Sequence, residues 1–140
     1  MITSIDSNVI IGLWNADDTL NPAALTALDA AFSSGGLVIC GAVYAELLAL
    51  PKRTEEFVDT FLTDTQIAVD WTSSESIWRT AGQAFQGYDR RRRKQKINSP
   101  RRILADFFIG AHALENSYSL LTLDERIYGA AFPKLHITSV

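Results

Sequence analysis

The chain has a single cysteine among 140 residues, Cys40, so an internal disulfide is excluded. That thiol ends the apolar run Leu37-Val38-Ile39-Cys40, with no neighbour that would lower its pKa. It reads as a buried thiol in a reducing cytoplasm, not as a nucleophile. Histidine is nearly as scarce: His112 and His136 do not pair, and with one cysteine this argues against zinc. No apolar run approaches the roughly 20 residues needed to cross a bilayer, so no membrane association is expected. The first residues lack the basic start, apolar stretch and small-residue cleavage site of a signal peptide. No serine sits in a nucleophile elbow, and no glycine loop is built to cradle phosphate, since Gly35-Gly36 reads as a helix stop. Repeats and linkers are also missing, so residues 1–140 are expected to form one domain. With 47% hydrophobic and 21% charged residues, that domain is globular and not disordered.

What is present is unevenly charged. The net charge is −3, yet eight of the 13 basic residues fall between positions 90 and 102. They are Arg90, Arg91, Arg92, Arg93, Lys94, Lys96, Arg101 and Arg102, and the remainder of the chain carries five basic residues against 16 acids. An acidic body repels a polyanion and a cationic strip holds one, so the strip is a candidate for binding a nucleic-acid backbone. A solvated loop is the plainer reading of such a run. Trp78 and Tyr88 could stack on bases, but their helical spacing from Ala81 and Phe85 assigns them to the core.

The pattern predicts strands at residues 2–5, 37–40, 67–69, 119–122 and 135–138, separated by helices. Ser7 or Asn8 is expected to cap the first helix, and Asn21 the second, with Pro22 at its first position and Leu25, Leu28 and Phe32 facing inward. Thr72-Ser73-Ser74-Glu75 has the form of a capping box for a helix through Tyr88, after which the cationic strip runs on, interrupted by Asn98-Ser99-Pro100. A strongly apolar helix is expected over 103–114. This order implies an α/β fold with a mostly parallel sheet.

Four carboxylates stand in apolar company: Asp6, Glu46, Asp106 and Asp124. A charge held against apolar surface is costly unless it is paired or bound to a metal. Asp6 and Asp124 each follow a strand, and Glu46 lies one turn into the helix after the second strand, so all three belong at the edge where such sheets bind ligands. Ile103, Ile109, Gly110 and Ala113 at helical spacing place Asp106 on an inner face. Taken singly, Asp6 could be a helix cap, Asp106 a partner of Arg102, Asp124 a turn former, and Glu46 could reach solvent. Together they suit a hard divalent cation, Mg²⁺ or Mn²⁺. Such an ion beside a cationic strip suits metal-assisted hydrolysis of a phosphodiester.

The segments Ile5-Asp6-Ser7-Asn8, Ala45-Glu46-Leu47, Ala105-Asp106-Phe107-Phe108-Ile109-Gly110-Ala111-His112-Ala113-Leu114 and Leu120-Leu121-Thr122-Leu123-Asp124, in this order and spacing, resemble those of PIN-domain ribonucleases. The resemblance covers nearly the whole chain and is strongest to the VapC-type toxins of bacterial and archaeal toxin–antitoxin pairs. It implies a three-layer α/β/α sandwich with a central, mostly parallel sheet. It also implies a Mg²⁺- or Mn²⁺-dependent endoribonuclease that leaves a 5′-phosphate and a 3′-hydroxyl. Asp6, Glu46 and Asp106 would match the main metal ligands and Asp124 the fourth acid, while Ser7, Asn8 and Thr122 match supporting polar positions. The implied partners are an RNA substrate, a second copy of the chain, and an antitoxin whose tail covers the acidic pocket, often with an arginine entering it. The Arg/Lys-rich stretch before Asp106 departs from the family pattern, in which a shorter glycine-containing turn is common. The alternative function is a non-catalytic RNA- or protein-binding module on the same fold.

Overall fold

The computed structural model describes residues 1–96 and 102–140. Five strands, β1 (Thr3–Ile5), β2 (Leu37–Cys40), β3 (Ile67–Asp70), β4 (Ser119–Thr122) and β5 (Ile137–Ser139), form one sheet in the order β3-β2-β1-β4-β5. Every pairing is parallel, where the sequence pattern implied mostly parallel. The three central strands are buried along their whole length, as a sheet covered on both faces requires.

Among the described residues seven helices connect the strands: α1 (Ser7–Trp14), α2 (Asn21–Ser34), α3 (Gly41–Leu48), α4 (Glu55–Asp64), α5 (Glu75–Gln95), α6 (Leu104–Glu115) and α7 (Glu125–Ala131). The chain moves outward from β1 to β3, then returns to β4 on the other side of β1. Right-handed crossovers therefore put α1 to α4 on one face and α5 to α7 on the other, which makes a three-layer sandwich. The contacts agree: α1 touches α2 and α3, while α5, α6 and α7 touch one another. The reversal between β1 and β4 is a topological switch point, where parallel sheets open a crevice at their carboxyl ends. Asp6 and Asp124 flank it.

Several local expectations are corrected. Neither Ser7 nor Asn8 caps α1; Asp6 occupies the cap position, and its side chain makes no cap bond. Asn21 begins α2 and donates back to the Gly12 and Leu13 carbonyls at 3.2 and 2.8 Å, tying two helices together instead of capping one. The inner face of α2 is Ala24, Leu28 and Ala31, while Leu25 and Phe32 are exposed. The buried face is built mostly from alanine, so the large residues do not mark it. Gly35 ends α2 as expected, for a steric reason: a Cβ there would stand 2.2 Å from the Met1 carbonyl oxygen.

The largest correction concerns α5. Ser74 alone caps it, accepting from Ile77 N at 3.4 Å, and Glu75 pairs with Arg79 instead of closing a capping box. The helix does not stop near Tyr88 but continues through the arginine run to Gln95, ending where Lys96 turns left-handed at φ 51°. Cations are favourable in a last helical turn, where they face its partial negative charge, so the run extends the helix instead of breaking it.

Candidate metal centre

Each of the four acids is placed by a junction at the carboxyl edge of the sheet. The strand β1 passes into α1 through one residue, Asp6, whose N–H donates to the Leu121 carbonyl at 2.9 Å. The strand β2 passes directly into α3, which carries Glu46 one turn beyond Gly41. Asp124 stands at the cap position of α7, just past β4. Asp106 lies in the first turn of α6, and α6 touches α3 although the two helices come from opposite faces. Asp6 is buried at 3% exposure; Glu46, Asp106 and Asp124 are half-buried.

The acids share a field. Asp6 interacts electrostatically with Asp106 and Asp124, Glu46 with Asp106 and Asp6, and Asp106 with Asp124. Burial is the main cause that raises the pKa of Asp6, and these neighbours add to it. Asp106 is raised by burial and by Asp124, partly offset by its bond to the Ile103 backbone and by Arg102. Glu46 is pushed up to about 7, first by burial and then by Asp106 and Asp6. Its buried Oε1 has no hydrogen-bond partner among the described residues. A buried acceptor left in that condition is expensive, so the pocket is under-supplied with positive charge.

The polar residues picked from the resemblance are found around these acids. Thr122 Oγ1 donates to Asp6 Oδ2 at 2.8 Å and accepts from Asp124 N at 3.0 Å. Asn8 Nδ2 donates to Asp124 Oδ2 at 3.2 Å, while its Oδ1 accepts from Leu123 N at 3.3 Å. Ser7 Oγ stands 3.5 Å from Asp6 Oδ1. These bonds lace β1, β4 and α1 together across the switch point.

The cationic strip is divided by the fold. Arg102 belongs to the acidic pocket, donating from Nη1 to Asp124 Oδ2 at 3.0 Å, so its close ion pair is with Asp124, while Asp106 feels it electrostatically. Arg90 to Lys94 lie in the last turns of α5 and splay around it instead of forming one stripe. Arg93 pairs with Asp89 at 3.0 Å, and the Arg92 guanidinium lies 5.7 Å from the centre of the Tyr88 ring. Arg90, Lys94 and Lys96 are exposed. Arg101 lies outside the described residues, as does Asn98-Ser99-Pro100. Tyr88 is core, as expected, and its hydroxyl accepts from Arg102 N at 2.8 Å, which ties α5 to the segment that enters the acidic pocket. Trp78 is not core: it is 56% exposed, resting on Phe108 at 4.6 Å.

Two groups in this region escaped the sequence reading. Tyr128 on α7 is 2% exposed and interacts with Asp6, Asp106 and Glu46; burial foremost, then these acids, push its pKa far up. Its spacing of four from Asp124 was the available signal. Asp70, at the end of β3, is a further acid on the same sheet edge. His112 Nε2 lies 2.8 Å from Asp70 Oδ2, and although burial opposes it, hydrogen bonds from His112 and Thr72 keep the Asp70 carboxyl below its usual range. Both histidines are structural: His112 is fully buried, and His136 Nδ1 sits 2.9 Å from Ser119 Oγ. Cys40 is likewise inert, buried and pushed up to about 11 by that burial.

The donor set is all oxygen, charged and incompletely compensated, which fits a hard divalent cation. The carboxylates are not drawn into a finished ligand sphere, however: among the described residues no three Asp, Glu, His or Cys side chains are grouped closely enough to hold one ion as they stand.

The structure is similar to that of VapBC2 from Rickettsia felis bound to a DNA fragment from their promoter, with TM-score 0.63 and 16% identity over 100% of this chain and 99% of that one. It is similar to VapBC-1 from nontypeable Haemophilus influenzae, with TM-score 0.67 and 19% identity over 99% and 98% of the two chains. A toxin–antitoxin complex from Klebsiella pneumoniae gives TM-score 0.65 and 18% identity over 97% and 95%. At such identities the likeness is one of fold. No curated protein sequence matches the chain. Residues 4–133 match the PIN domain and so include all four acids and the switch point between them: the chain belongs to the PIN domain family.

Proposed function

We propose that this PIN domain is a Mg²⁺- or Mn²⁺-dependent endoribonuclease and the toxin of a toxin–antitoxin pair, acting in the cytoplasm. The observation that carries the reading is the convergence of Asp6, Glu46, Asp106 and Asp124 at the switch point, with Glu46 Oε1 buried and unpaired. These four side chains would hold the cation. When bound, it would polarise a phosphodiester and make an attacking water more acidic. Thr122 orients Asp6, and Asn8 orients Asp124. Arg102 screens Asp124 until substrate or metal supplies charge of its own. Arg90, Lys94 and Lys96, exposed at or just past the end of α5, would hold RNA phosphates beside the pocket, as would Arg91, Arg92, Arg93 and Arg101.

The exposed large apolar residues include two groups. Trp71, Trp78 and Leu104 line a groove of about 380 Å³ with Ile103 beside them, and Leu25 and Phe32 stand out from α2. Such surfaces suit protein partners, and we assign them to the antitoxin and to a second copy in a homodimer. The toxin–antitoxin assemblies among the similar structures support the first of these.

The incomplete ligand sphere favours the alternative, a non-catalytic RNA- or protein-binding module. One assay separates the two. The purified protein with Mn²⁺ should cleave RNA, and Asp6→Asn or chelation should reduce the rate by roughly 100-fold or more, the scale of losing a group that stabilises the transition state. RNA binding that weakens with salt but never leads to cleavage would establish the alternative.

A further inference from the structure

We propose that Tyr128 is a positioning residue for Asp6, its buried hydroxyl supplying the hydrogen bond that fixes this carboxylate when it serves as a cation ligand. The inference rests on the metal-dependent reading above and deepens it.

The hydroxyl is an anomaly as packing. The Tyr128 ring stacks on Phe132 at an interplanar angle of 23° and is 2% exposed, a place that phenylalanine would fill as well. The oxygen has no hydrogen-bond partner among the described residues, and a buried hydroxyl without one destabilises a fold. It interacts with Asp6 as a hydrogen-bond donor that favours the charged carboxylate, in a geometry short of a close hydrogen bond.

The pocket's other donors are already committed. Thr122 serves Asp6 Oδ2 at 2.8 Å, and Asn8 and Arg102 serve Asp124. Asp6 Oδ1 has only the distant Ser7 hydroxyl at 3.5 Å. A carboxylate that binds a cation through one oxygen is held in orientation by donors on its remaining lone pairs. Among the described residues the Tyr128 hydroxyl is an uncommitted donor that interacts with Asp6. Set beside this carboxylate, the hydroxyl would fix the orientation of Asp6 when it serves as a cation ligand.

The test is Tyr128→Phe, which removes one oxygen and keeps the ring. In metal-free buffer the variant should melt at or above the temperature of the parent. Its Mn²⁺ affinity by calorimetry should fall about 10-fold, the scale of losing a partner to a metal ligand, and kcat on RNA should fall with KM unchanged. Unaltered Mn²⁺ affinity would overturn the proposal, as would a lower melting temperature with affinity intact, which would make the hydroxyl structural. A parent protein that binds no Mn²⁺ would instead remove the metal-dependent reading on which it rests.

Discussion

At Asp106 an acid, half-buried in the first turn of α6, feels Asp6, Glu46 and Asp124 on one side and Arg102 on the other. Its position at a helix start is favourable for a negative charge, yet burial and the other acids prevail and its pKa is raised. Neutralising it should therefore help the metal-free fold. Asp106→Asn is expected to raise the melting temperature without metal by a few degrees, about what 1 kcal/mol produces in a domain of this size. Thermal melts in chelator check this, and a fall would assign Asp106 to a structural ion pair. Ile103, expected on the inner face with Asp106, is 60% exposed, whereas Ile109, Gly110 and Ala113 on that face are buried. Asp106 reaches the pocket because α6 begins there and because the face it shares with these three residues is buried. Tyr128 stayed hidden for a different reason, since a tyrosine in an apolar stripe gives no sign in sequence of where its hydroxyl points.

Among elements, α6 does most to join fold and site. Its central Gly110 lies against Phe132, where an added Cβ would come within 2.2 Å of the ring. Alanine is the better helix former by about 1 kcal/mol, but overpacking costs about 1–3 kcal/mol, so Gly110→Ala should destabilise. Because Asp106 is one turn away on the same helix, the displaced helix should also weaken Mn²⁺ binding. Denaturant unfolding and calorimetry on one preparation check both effects, and a stabilised variant with full affinity would show that α6 yields freely. Strand positions were largely legible because short buried runs, Leu37 to Cys40 all apolar and Ser119 to Thr122 with Leu120-Leu121 at its centre, are bounded by clear breaks. The end of α5 was not legible. A run of arginines looks like a loop in sequence, but it is a good helix former and complements the helix dipole.

At the scale of the molecule, the parallel sheet and its reversal between β1 and β4 bring together acids more than 100 residues apart in the chain, and their mutual repulsion adds to the cost of burying them. Fold class and pocket could be read in advance because α/β topology fixes where strand ends lie. The splitting of the cationic strip could not, since pairing of Arg102 with Asp124 depends on how the chain returns to the pocket after α5. Stability should carry the mark of this charge. A carboxyl whose folded pKa lies above its unfolded value keeps a proton that the unfolded chain has released, so its contribution declines as pH rises between the two values. For Glu46 that window runs from 4.5 to about 7, and Asp6 and Asp106, raised as well, act in the same direction. Asp70, shifted downward, acts oppositely but only at more acidic pH, outside this window.

The most direct measurement is the melting temperature of the metal-free protein from pH 5 to pH 8, repeated with saturating Mn²⁺. The account predicts a decline with rising pH in chelator, and a decline removed or reversed by the cation. A metal-free profile that rises toward pH 8, or one that Mn²⁺ leaves unchanged, would contradict it.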